Sequence, residues 1–127
     1  MIQISSQEII ENGKSIVYYK TGLMPSRKCL LPVNNFERAI EIERIIKQAI
    51  NWKRFSFSIE RIQESWDKFY YKLLLNGEFL ITNSCLTDLR EKVYSVMNKL
   101  GYKDYSISVD SLKHTMREIQ PLFSRAS

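Results

Sequence analysis

Cysteine, histidine, glycine and proline are all scarce in this chain, at two, one, four and three residues. Two isolated cysteines, Cys29 and Cys85, build neither a disulfide framework nor a zinc site, and they read as reduced, partly buried thiols. A lone histidine, His114, cannot make a metal centre by itself. It falls between Leu112 and Met116, off an apolar stripe, and no Ser/His/Asp set can be read around it. The glycines at 13, 22, 77 and 101 all have turn or helix-end explanations, and no P-loop, GxGxxG or HExxH is present. No cofactor and no metal are therefore expected, and the chain reads as a non-enzyme.

Long apolar runs are missing as well. Nothing approaches the roughly 18 residues that a membrane span needs. The start, MIQISSQEIIENG, lacks the basic-then-apolar order of a signal peptide. The expectation is a cytoplasmic protein with no membrane contact. Charge of one sign is not concentrated either. The net charge of +5 comes from 19 basic and 14 acidic residues without a block or tail. That favours an anionic partner only mildly.

What the sequence does contain is repetition. Asn51–Gln63 (NWKRFSFSIERIQ) recurs as Gly101–Lys113 (GYKDYSISVDSLK). Trp52 matches Tyr102, Phe55 matches Tyr105, and Ser56 and Ser58 match Ser106 and Ser108. Tyr-Tyr-Lys also recurs, at Tyr18–Lys20 and Tyr70–Lys72. With 127 residues and 44% apolar composition, the chain is expected to form a single domain (1–127) with a real core.

The local signals divide that domain into units. Ile2–Ile10 alternates as a strand, although Ser5-x-x-Glu8 also fits a helix-opening capping box. Asn12-Gly13 is a hairpin turn, Ser15–Thr21 a strand, and Lys28–Val33 an edge strand because Pro32 cannot donate to a ladder. Asn34 or Asn35 caps a helix to about Ile50. Its expected apolar stripe is Phe36, Ala39, Ile40, Ile46, Ala49 and Ile50, widened by Ile42 and Ile45. Phe55–Ile62 is the next strand, Gln63–Asp67 a turn, and Lys68–Leu75 a strand. Asn76-Gly77 turns it into Glu78–Thr82. Ser84 or Thr87 caps a helix that ends at Leu100, with Gly101 as its stop. Tyr105–Asp110 opens a third unit, and Ser111 caps a terminal helix over Leu112–Ile119. The fold class is thus α+β: two tandem βββα repeats (about 2–51 and 55–101) and a terminal strand and helix (104–123), sharing one core.

Period-two alternation then sorts the faces. Val17, Tyr19, Phe69, Tyr71, Leu73 and Leu75, with Phe79 and Ile81, should meet the helices, and Cys29 should point inward. The opposite face carries Ile16, Tyr18 and Lys20 in one unit. In the other it carries Trp66, Lys68, Tyr70, Lys72 and Leu74, flanked by Leu80. Aromatics interleaved with lysines suit single-stranded nucleic acid, because rings stack on bases and ammonium groups meet phosphates. The same face also suits packing against the other unit, a protein partner or a homodimer.

Two resemblances point the same way. The lysine-aromatic strand, Asn-Gly turn and Phe-Leu return of Lys68–Leu80, in a βββα order, resembles a PUR repeat. That resemblance implies single-stranded nucleic-acid binding on the sheet. The hairpin-then-helix of Tyr70–Gly101 is similar to the AP2/integrase-arm group of DNA-binding units, whose arginine-rich strands this sequence lacks. The candidate nucleic-acid-binding residues are Tyr18, Lys20, Trp66, Lys68, Tyr70 and Lys72. The alternative is a regulatory or adaptor protein that binds a protein, or itself, through that face. Two further residues stand apart. Cys85 is expected near the first turn of the second helix, most simply as a buried small hydrophobe. Glu60 and Asp110 are equivalent carboxylates that fit turn capping.

Overall fold

The computed structural model describes residues 2–9, 14–21 and 26–109. The chain runs through β1 (Ile2–Ile9), β2 (Lys14–Thr21), β3 (Lys28–Val33) and α1 (Phe36–Trp52). It continues through β4 (Ser56–Ser65), β5 (Lys68–Leu75), β6 (Glu78–Asn83), α2 (Leu86–Leu100) and β7 (Ser106–Val109). The fold is α+β, with two sheets and two helices among the described residues. The first sheet has the order β1-β2-β3 and the second β6-β5-β4-β7. All neighbours are antiparallel except β4 and β7. Ile2–Ile9 is a strand, so alternation prevails over the Ser5-x-x-Glu8 capping pattern. Asn12-Gly13, Asp110, His114 and the expected terminal helix lie outside the described residues.

The local chemistry explains most boundaries. Asn76 (φ 52°) and Gly77 (φ 84°) both take the positive φ that a two-residue hairpin turn demands. Asn35 caps α1 by accepting the Arg38 N–H at 2.8 Å. Gly101 ends α2 in the left-handed conformation, and Lys53 does the same for α1. The α2 cap differs from expectation. Neither Ser84 nor Thr87 holds it; Cys85 sits at the cap position without a side-chain bond, and Asn83 Oδ1 accepts the Cys85 N–H at 2.8 Å. An Asx-type turn one step earlier has taken the role.

One continuous core lies between the sheets and the helices. α1 contributes Ala39, Ile42, Ile45, Ile46 and Ala49, and α2 contributes Leu89, Val93, Val96, Met97 and Leu100. Phe36 and Ile40 are not part of it. They are 36% and 48% exposed, because the helix presents the 39/42/46/49 stripe to the sheets and turns 36 and 40 aside.

Two β-bulges correct the face assignment. In the first sheet Val17 faces Leu31 and Tyr18 faces Cys29, so Leu30 is the extra residue. In the second, Leu73 faces Ile81 and Leu74 faces Phe79, so Leu80 is the extra residue. Each bulge turns two consecutive residues inward (Leu30 with Leu31, Leu80 with Ile81) and sends the preceding residue outward. Leu80 is therefore buried and Phe79 joins the outer face, the reverse of simple alternation. Cys29 is exposed for the same reason, and Cys85 is exposed at its helix cap.

The bulges also lock the halves together. A bulge frees carbonyls from the ladder, and here each set of carbonyls meets a cation from the other half. Arg38 of α1 donates to Phe79 O (2.9 Å) and Leu80 O (2.8 Å). Lys99 of α2 donates to Cys29 O at 3.1 Å.

The matched stretches themselves meet in space. β7 lies parallel to β4 with Ser56 beside Ser106, Phe57 beside Ile107, Ser58 beside Ser108 and Ile59 beside Val109. Phe55 stacks on Tyr102 at 4.8 Å between ring centres, and Phe57 meets Tyr105 edge-on at 6.3 Å. Sequence likeness at a fifty-residue offset has become side-by-side pairing.

Candidate nucleic-acid interface

The second sheet has one face on the core and one away from it. Register places Ser58, Glu60 and Ile62 of β4 opposite Leu74, Lys72 and Tyr70 of β5. Thr82 of β6 lies on the other side of Lys72. Ser56, Ser106 and Ser108 extend this face across β7. The core and the apolar residues packed against it include none of Ile62, Tyr70, Leu74 or Phe79. These residues are half-buried.

Within this face Lys68, Tyr70 and Lys72 stand in a row along β5, on alternate residues. That spacing puts an aromatic ring between two ammonium groups. Lys72 Nζ lies 5.1 Å from the centre of the Phe79 ring, whose other neighbour is the Arg38 guanidinium at 4.5 Å. Phe79 thus makes cation–π contacts with both side chains. Glu60, directly opposite Lys72, partly offsets the charge of this row.

Trp66 is not on the strand. β4 runs on to Ser65, so the turn consists of Trp66 and Asp67 alone, and Trp66 projects from it with 91% exposure. Ser65 Oγ donates to Asp67 Oδ1 at 2.9 Å and fixes the turn. The expected turn over Gln63–Asp67 is shorter because a register shift between Gln63 and Ser65 lets the ladder continue. The hairpin consequently overhangs the core. On the core side of the overhang Phe69 remains 40% exposed, meets Tyr71 edge-on at 5.8 Å and carries the Arg61 guanidinium 4.0 Å above it. Arg61 was not singled out from sequence. Its parity with Phe69 and Tyr71 in the hairpin was the available signal.

Tyr18 and Lys20 belong to the first sheet, on the outer side of β2, opposite Ser5 and Gln3 of β1. The six candidates thus divide into Lys68, Tyr70 and Lys72 on one sheet, Trp66 at its tip, and Tyr18 and Lys20 on the other sheet. The two Tyr-Tyr-Lys runs are not equivalent in place. Tyr18 is the bulge-facing residue of β2, whereas the bulge-facing residue of β5 is Leu74. Tyr19 is buried, while Tyr71 sits on the overhang and packs only partly on the core.

Among the described residues no group of three or more His, Cys, Asp or Glu side chains converges as a metal site. No helix among them is long and apolar enough to cross a membrane. Comparison of the chain with protein-family models, curated proteins and solved structures returns no match.

Proposed function

We propose that this is a non-enzymatic binding protein whose second sheet binds single-stranded nucleic acid on its outer face. The observation that carries the reading is the row Lys68–Tyr70–Lys72 on a face that packs on no part of the core. Tyr70 supplies a stacking ring and the lysines supply phosphate contacts. Trp66 extends the track at the hairpin tip, and Tyr18 with Lys20 form a second, separate contact on the first sheet. The matched halves support a duplicated βββα unit as the origin of the two faces. A reading as a protein-docking adaptor draws support from one observation, the exposed Trp66 and Phe69 on the overhang.

Fluorescence anisotropy with a labelled oligothymidylate, followed across salt, tests the proposal. Binding at low salt that fades steeply with salt is expected, because counterions are released from the strand. Tyr70→Ala should weaken binding by roughly 5- to 150-fold, the worth of one stacked base. Absence of binding at low salt overturns the reading. Association with a protein through Trp66, insensitive to salt, supports the adaptor instead.

A further inference from the structure

We infer that β1 is a dimerisation edge, pairing antiparallel with β1 of a second copy so that two first sheets join into one of six strands. The inference does not rest on the nucleic-acid reading, whose carrying row Lys68–Tyr70–Lys72 lies on the second sheet.

The argument begins with which edges are guarded. A free strand edge is a template for another strand unless something blunts it. β3 carries Pro32 and a bulge. β6 carries a bulge, and Arg38 occupies the carbonyls of Phe79 and Leu80. β7 spans four residues among those described. β1 has none of these devices. It is eight residues in unbroken register with β2, with no proline, glycine, lysine or arginine. Among the described residues no strand lies on its outer side. In the second sheet the corresponding side of β4 is covered by β7.

The helix beside β1 is also prepared for a neighbour. Ser6 Oγ donates to Ala39 O (3.0 Å) and Glu43 Oε1 (2.8 Å), which places this stripe of α1 along the strand. Ile40, one turn before Glu43, is 48% exposed, and Phe36, another turn back, is 36% exposed. Apolar side chains beside an open edge are what a second sheet edge and its helix would cover.

Charge selects a second copy of this chain as the occupant. A cleft of about 430 Å³ runs along Ile2–Ser5 and is lined by Lys20, Arg27 and Lys47, of which Lys47 is paired with Glu43 at 2.9 Å. In an antiparallel pair centred on Ser5, Glu8 of the second copy lies opposite Ile2, a lining residue of this cleft. The two-fold axis repeats the contact, so one surface supplies both halves of the match.

Sedimentation equilibrium of the full chain gives the first readout, and a monomer–dimer equilibrium is expected. Ile40→Glu should weaken it by roughly tenfold or more, since it places a carboxylate in an apolar contact. Position is read by cross-linking in a Cys29→Ser, Cys85→Ser background. Ser5→Cys faces its own mate at about 4.5–5.5 Å between Cα atoms, within disulfide range, and should form a covalent dimer on mild oxidation. Gln7→Cys faces residue 3 of the other copy, about 13 Å from its own mate, and should not. A register one pair along moves the cross-link to Ser6→Cys and leaves the inference intact. A monomer at all accessible concentrations overturns it. So does a dimer that cross-links at neither Ser5 nor Ser6. A chain that dimerises only after residues 110–127 are deleted overturns it too, because the edge is then covered by its own chain.

Discussion

Asn76 shows how much one residue can settle. It adopts a positive φ, its N–H donates to Ser56 O (2.8 Å), its Oδ1 accepts the Ser56 N–H (3.0 Å), and its Nδ2 donates to Arg54 O (2.8 Å). It forms the β5–β6 turn and ties that turn to the start of β4. Asn76→Ala should destabilise the fold by about 2–3 kcal/mol, from left-handed backbone strain and lost hydrogen bonds. Asn76→Gly should recover the backbone part, so urea titration of the two variants separates the contributions. On the outer face the matching single-residue test is Glu60. Glu60 stands opposite Lys72 in the β4–β5 ladder. Glu60→Gln should therefore tighten oligonucleotide binding, whereas a docking site for a basic protein would weaken. Anisotropy at fixed low salt reads the sign.

At the scale of elements, the third strand of each sheet is the informative one. Each bulge turns two consecutive aliphatic residues inward and exposes carbonyls to a cation from the other half's helix. Arg38 is the stronger tie, with two bonds and a ring beneath it. Arg38→Met should cost about 1–2 kcal/mol of stability by leaving two carbonyls unpaired beside the 290 Å³ cleft that α1 and β6 line. Denaturant midpoints would show it. A second tie joins α1 to the β5–β6 hairpin, where Arg44 bonds Glu41 and reaches Glu78 at 2.7 Å. The hydrogen bond from Arg44 holds the Glu41 carboxyl below its ordinary range. A lowered carboxylate stabilises above its unfolded value, and that stability is lost as pH falls through the folded one. In Arg44→Ala the acid limb of the stability curve should accordingly be flatter. The pair is solvent-exposed, so the change is small.

For the whole molecule, the legible parts were those fixed by local chemistry. The Asn-Gly turn, the Asn35 cap, the Gly101 stop and the strand character of Lys68–Leu75 follow from φ preferences and side-chain bonding within a few residues. The bulges were not legible, because Leu30-Leu31 and Leu80-Ile81 read as ordinary alternation until a partner strand fixes the register. The length of β4 was hidden for the same reason: Gln63–Ser65 is polar and looks like turn, yet the β5 ladder holds it extended. Trp66 lay within the expected turn, and it stands at the tip of the shorter one. The pairing of β7 with β4 is a long-range choice, although the likeness of Ser56–Ile59 to Ser106–Val109 already named the two partners. The common parity of Lys68, Tyr70 and Lys72 was legible, because they keep strict alternation on a regular strand.

The outer face of the second sheet is tested most directly by the salt dependence of oligonucleotide binding in Lys68→Ala/Lys72→Ala beside the unaltered protein. Each phosphate contact on a single strand contributes about 0.7 to the slope of log affinity against log salt. Loss of both lysines should make the slope shallower by about 1.4 as affinity falls. Identical slopes for the two proteins would contradict the assignment of that face.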